Sequence, residues 1–137
     1  MIVFSRQQLK QLEEHAKRES PNEACGILAG LTGAEKIVKK IYECKNVDSE
    51  PRVGYRVDAG DQLRIFEDID KSEYGLIGFY HSHPMGLDTP SMIDVGRAEW
   101  SDYSYVIVSI SNIVNISSWI WNEEKGRFLK EELKSMS

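Results

Sequence analysis

The chain predicts an α/β fold, a mixed β-sheet sandwiched by helices. Two observations carry that expectation. Segments with helical apolar spacing are interspersed among short apolar runs of strand length, and the last third reads as strand-like segments split by turn residues. A helix bundle would lack the second feature and a pure β-barrel the first. At 137 residues, with no Pro/Gly/Ser-rich linker, the chain reads as a single domain over 1–137. Its 41% apolar residues, including three Trp, six Tyr and four Phe, are enough for one core without disulfide staples.

Ser5 followed three residues later by Gln8 resembles a capping box, and Leu9, Leu12 and Ala16 then recur at helical spacing, so the first element is a helix ending before Pro21. Glu23 follows that stop. Ala24 to Ala29 is a short apolar run closed by Gly30, and Lys36 to Tyr42 is its partner across the Leu31-Thr32-Gly33-Ala34 turn. Arg52 to Val57 reads as a third strand. Asp58 then caps a helix to about Ser72, with Leu63, Phe66 and Ile69 or Asp70 on one side.

Leu76 to Tyr80 suits a buried strand and delivers the chain to His81. Ser91 opens a short helix to about Trp100. Tyr105 to Ile110 and Ile113 to Trp121 are strands separated by Ser111-Asn112, and a last strand runs near Arg127 to Leu133 after the turn at Gly126. The pattern does not order these strands. Trp119 and Trp121 share a face of their strand, where packing is favoured over an exposed binding platform.

Composition narrows the function classes. Net charge is −5 with acids and bases interspersed, and Lys39-Lys40 does not extend into a patch, so nucleic acid is a disfavoured partner. Nowhere do eighteen apolar residues stand together, and Met1-Ile-Val-Phe-Ser-Arg lacks a basic region before a long apolar run, so a cytoplasmic protein without a membrane partner is expected. Cys25 and Cys44 are too few for a disulfide framework or a Cys-rich metal site, and read as two buried or half-buried thiols in a reducing compartment.

The informative stretch is His81-Ser-His83-Pro84 followed by Ser91 and Asp94, with ten residues between His83 and Asp94. If the strand ending at Tyr80 continues through the motif, a period of two puts His81 and His83 on one face, and Pro84 stops it. Two imidazoles and one carboxylate are the ligand set of a catalytic Zn2+, with the fourth position left to water whose pKa falls to roughly 7. Iron or cobalt also suit such donors.

Each residue has an ordinary reading as well. His15 has no second ligand near it in sequence and reads as a plain helix side chain. His-x-His occurs by chance, Glu23 alone is a loop acid, and Ser91 with Asp94 is the pattern of a helix capping box. Only the combination outweighs these alternatives.

Taken together, Glu23, His81-Ser-His83-Pro84, Ser91 and Asp94 resemble the JAMM motif of the MPN (Mov34/PAD-1) metalloprotease family, over about residues 1 to 122. The run Pro21-Asn-Glu23-Ala-Cys-Gly26-Ile-Leu-Ala-Gly30 is similar to the family strand that carries the acid. The resemblance implies that family's cytidine-deaminase-like architecture, His81, His83 and Asp94 as zinc ligands, Glu23 as the acid that works the water, and Ser91 as the hydroxyl that helps hold the oxyanion. It also implies hydrolysis of an amide or isopeptide bond after the C-terminal glycine tail of a ubiquitin-like protein. Short connections make the chain look more like prokaryotic members acting on small ubiquitin-like sulfur-carrier proteins. Two other readings stand beside this one, a non-catalytic MPN interaction scaffold, which a full ligand set disfavours, and a RadC-like DNA-associated protein, which the acidic balance disfavours. The oligomeric state is open.

Overall fold

A computed structural model describes residues 1–136, and its elements run in the order β1 (Ile2–Ser5), α1 (Arg6–Glu19), β2 (Cys25–Leu31), β3 (Lys36–Cys44), α2 (Ala59–Lys71), β4 (Gly75–His83), α3 (Met92–Arg97), β5 (Ser104–Ser109), β6 (Asn115–Asn122), β7 (Arg127–Glu131) and β8 (Leu133–Met136). The strands form one mixed sheet in the order β7-β6-β5-β4-β2-β3-β1-β8. β2 is antiparallel to both its neighbours, whereas β4–β5, β1–β3 and β1–β8 are parallel. Glu132 alone separates β7 from β8, yet these strands occupy opposite ends of the order. The two edge strands therefore meet at one corner of the sheet, and among the described residues no ladder joins them.

Helices cover both faces, as the sequence pattern predicts. On one face the α1 residues Leu12 and Ala16 are buried against Phe4, Leu28, Val38, Tyr80 and Val106. Each fully buried Leu or Phe there contributes about 1.5–3 kcal/mol of transfer free energy. The predicted capping box starts this helix, with Gln8 N donating to Ser5 Oγ at 3.1 Å and Ser5 N donating to Gln8 Oε1 at 2.9 Å. On the other face α2 packs Ile65, Phe66 and Ile69 against a cluster that includes Phe79, Tyr105 and Trp121. Gly26 is required where it stands, because a Cβ there would overlap the Tyr80 ring, which crosses β2 so that its hydroxyl meets His15 Nδ1 at 2.8 Å. His15 is thus a satisfied core side chain.

Four expectations change. Arg52 to Val57 is not a strand; it is a turn-rich segment whose only ladder contact is an isolated Asn46–Val57 bridge, because the Asn46 side chain takes the backbone groups that a strand would need. Leu63 is 61% exposed, so the buried stripe of α2 runs through Ile65, Phe66 and Ile69. The last strand is two strands broken at Glu132, which serve opposite edges of the sheet. The helix after Ser91 ends at Arg97, short of Trp100.

β1 carries no alternating pattern because Ile2, Val3 and Phe4 are all buried, as expected of a strand paired on both sides and covered on both faces. Trp121 is buried and Trp119 half-buried among core residues, so the packing reading holds. Cys25 and Cys44 are free, buried and directly opposite each other in the β2–β3 register. Among the described residues no helix is long and apolar enough to cross a membrane.

Candidate active site

Sheet register places the first two side chains. β4 continues through Gly75–His83 and stops before Pro84, so Phe79, His81 and His83 face the α2 side while Tyr80 and Ser82 face α1. His81 and His83 are 1% and 7% exposed, and their Nε2 atoms stand 3.1 Å apart. His83 Nδ1 donates to Leu87 O at 2.7 Å, which fixes the proton on Nδ1 and leaves Nε2 bare when the ring is neutral.

A loop brings the third donor. Asp94 Oδ2 lies 3.1 Å from each histidine Nε2. The same oxygen accepts Ser91 N–H at 2.9 Å while Asp94 N donates to Ser91 Oγ at 3.0 Å, which is the capping box of α3. Cap and cluster are one arrangement here. The first turn of α3 aims the carboxylate at the histidines, and the two sequence readings of Ser91 and Asp94 do not compete.

Glu23 completes the cluster from the segment before β2. It is 4% exposed, and one of its carboxylate oxygens lies within 4.8 Å of a ring nitrogen on both His81 and His83. Its Oε1 has no hydrogen-bond partner, and neither does His81 Nδ1. Burial pushes the Glu23 carboxyl up to about 8, against the downward pull of His83 and with a further upward push from Asp94. Burial drives the His81 imidazole down, against the upward pull of Asp94 and with a further downward push from His83. For His83 burial also acts downward, but the hydrogen bonds to Asp94 and Leu87 outweigh it and raise the value. Burial would raise Asp94, yet the two imidazoles and Ser91 N–H hold its carboxyl well below the usual range.

These donors fit a metal ion. Three basic atoms turned toward one point at 3.1 Å cannot satisfy one another, and a cation or proton must stand between them. A tetrahedral Zn2+ with donors at about 2.0–2.1 Å requires edges of roughly 3.3–3.4 Å, close to those seen. The orphaned Glu23 oxygen beside the triad is the further buried acceptor that such a centre and its water would satisfy.

Residues 5–122 match the family described as prokaryotic homologs of the JAB domain. The chain belongs to that family. It is 36% identical over 115 residues to the desampylase of Haloferax volcanii, covering 84% of this chain and 82% of the relative. It is 33% identical over 109 residues to the CysO-cysteine peptidase of Mycobacterium tuberculosis, covering 80% and 73%. A solution structure of a Desulfitobacterium hafniense protein superposes with a TM-score of 0.88 at 29% identity, covering 99% and 93%. The crystal structure of a JAB1/MPN domain protein from Archaeoglobus fulgidus shares the fold, with a TM-score of 0.60 at 22% identity and full coverage of both chains. The JAMM/MPN fold expected from the motif is the fold observed.

Beside the cluster this JAB domain has a groove of about 810 Å³. His81 and Asp94 lie on its floor, and Tyr55, Phe79, Trp100 and Tyr105 supply aromatic walls. Tyr55 stacks on His81 with ring centroids 4.5 Å apart and planes 19° apart. The segment that carries Tyr55 is clamped to α3 by Arg97, whose Nη1 donates to the buried Asp48 Oδ1 at 2.8 Å and to Tyr55 O at 3.2 Å. Sequence reasoning missed Asn46, Asp48, Tyr55 and Arg97. Only the turn-forming composition of Asn46-Val-Asp48-Ser-Glu-Pro51 could have flagged the segment as an ordered loop.

The loop Met85 to Pro90 leaves the cluster after His83 and is held through its backbone. Gly86 O accepts from Ser109 Oγ at 2.6 Å, Leu87 O from His83, and Asp88 O from Trp119 Nε1 at 3.1 Å. Its apolar side chains turn outward, with Met85 88% and Leu87 72% exposed.

Proposed function

We propose that the chain is a single-domain, zinc-dependent peptidase or isopeptidase that cleaves the amide bond after the C-terminal glycine tail of a ubiquitin-like or sulfur-carrier protein. The convergence of His81 Nε2, His83 Nε2 and Asp94 Oδ2 at 3.1 Å, with the buried Glu23 carboxyl beside them, carries this reading. The named relatives support it, because one is a desampylase and another a CysO-cysteine peptidase. The full donor set argues against a non-catalytic scaffold, and the net charge of −5 against a DNA-associated role.

His81, His83 and Asp94 would hold the ion. Zinc supplies Lewis acidity toward a carbonyl oxygen and lowers the pKa of a coordinated water to roughly 7. Glu23 is the proton carrier: its unpartnered Oε1 is free to accept a proton from the attacking water and to return it to the leaving amine. Burial raises its affinity for that proton, which suits both halves of the task. Ser91 Oγ accepts from Asp94 N–H, so its own hydroxyl hydrogen is free to bond the oxygen that gains charge on the scissile carbonyl. The groove walled by Tyr55, Phe79, Trp100 and Tyr105 offers a path into which a glycine tail, without side chains, can extend. The buried free thiols Cys25 and Cys44 suit a reducing cytoplasm.

The test is incubation of the zinc-loaded protein with ubiquitin-like carriers bearing a C-terminal extension, read by intact-mass spectrometry. The expected product is the carrier ending in glycine. Carriers left whole by protein with one equivalent of zinc would overturn the substrate class.

A further inference from the structure

The two histidines stand in a strand ladder, but Glu23 does not. β2 begins at Cys25, and the β2–β4 register opens with Cys25 opposite His81, so Glu23 precedes the ladder. Its backbone groups are taken by the segment after β3 instead. Glu23 N donates to Pro51 O at 2.7 Å, and Glu23 O accepts from Asn46 Nδ2 at 2.9 Å. With Oε1 unpartnered, the location of the carboxylate is inherited from this backbone anchorage.

Asn46 is the hub of that anchorage. Its Nδ2 also donates to Gly54 O at 3.0 Å, and its Oδ1 accepts from Asp48 N at 3.0 Å and from Arg56 N at 3.1 Å. One carboxamide thus ties Glu23 to both ends of the segment that supplies the Pro51 carbonyl and the Tyr55 ring stacked on His81. Only a group with donors and an acceptor at this length meets all four partners. An aspartate has the shape and the acceptor but no donor.

From this geometry we propose that Asn46 is the positioning residue for Glu23, setting the carboxylate against the two histidines through the Glu23 carbonyl. The consequence for turnover rests on the peptidase reading above. The anchorage itself does not. Because a misplacement of about 1 Å at a reacting group costs roughly a hundredfold in rate, loss of the tie acts on kcat and not on binding.

Asn46→Asp separates positioning from loop shape, because it keeps the acceptor for Asp48 N and Arg56 N and removes the donor to Glu23 O and Gly54 O. The experiment measures residue-resolved amide hydrogen exchange, zinc stoichiometry and steady-state kinetics on the full chain, for wild type, Asn46→Asp and Asn46→Ala. We expect both variants to speed exchange at the Glu23 amide by more than about tenfold and to keep one equivalent of zinc. Both should lower kcat by roughly a hundredfold with KM within about threefold. Wild-type exchange at Glu23 in Asn46→Asp, or a loss confined to KM, would overturn the proposal. If the wild type cleaves no carrier, the peptidase reading fails while the exchange measurement still decides whether Asn46 holds Glu23.

Discussion

His81 and His83 are placed by a sheet, whereas Glu23, Ser91 and Asp94 are placed by loops and short-range hydrogen bonds. The histidines sit in β4, paired on one side with β2 and on the other with β5, and their spacing follows from strand periodicity alone. Glu23 lies before its strand and hangs on Asn46 and Pro51. Asp94 is aimed by the first turn of a six-residue helix whose cap is Ser91. The rigid half of the site should therefore fail by losing donors, and the loop-borne half by losing alignment.

The largest effect is expected from the rigid half. His83→Ala removes a donor that no neighbour replaces, so zinc stoichiometry should fall from one to near zero and turnover should vanish. Unchanged zinc by elemental analysis would take His83 out of the ligand set. Glu23→Gln should behave oppositely, retaining zinc while kcat falls by about 10³-fold.

The same substitution has a second, pH-dependent outcome in the metal-free protein. The Glu23 carboxyl is raised from an ordinary 4.5 to about 8, so the native state binds the proton more tightly than the unfolded chain does. Stability falls as pH rises from about 4.5 and levels off above about 8. Metal-free Glu23→Gln should accordingly be the more stable protein at pH 8, by a few kcal/mol, with the difference gone below pH 4.5. Denaturant melts at the two pH values check this, and a constant difference would contradict the buried, unpartnered carboxyl.

Ser91→Ala should cost less. Loss of the cap removes about 1 kcal/mol of stability, and loss of the hydroxyl hydrogen should lower kcat by roughly 10²-fold with zinc still bound. The smallest effect is expected at Tyr55→Leu, which removes the ring from His81 and keeps an apolar wall. A loss of less than about tenfold in kcat/KM would place the stack among the supports and not the chemistry.

The legible and illegible parts of the molecule follow the same division. The α/β class, both long helices and the spacing of His81 and His83 rest on local periodicity and capping, which the sequence carries openly. Ser91 and Asp94 were ambiguous because a capping box and a metal-directed carboxylate use the same residue types at the same spacing, and the Asp94 carboxylate that caps α3 also lies 3.1 Å from His81 Nε2 and from His83 Nε2. β1 escaped because a strand buried on both faces does not alternate. The break at Glu132 escaped because it depends on which edge each half meets. Asn46 left no signal beyond a turn former, since its four partners lie at residues 23, 48, 54 and 56 and only the fold brings them together.

The most direct test of the central claim is a paired measurement on wild type and Glu23→Gln, each reconstituted with zinc and assayed for metal content and for cleavage of a ubiquitin-like carrier after its terminal glycine. Equal zinc is expected in both proteins, with a carrier ending in glycine from the wild type and about 10³-fold slower release by the variant. Equal rates from the two proteins at equal zinc would contradict that claim.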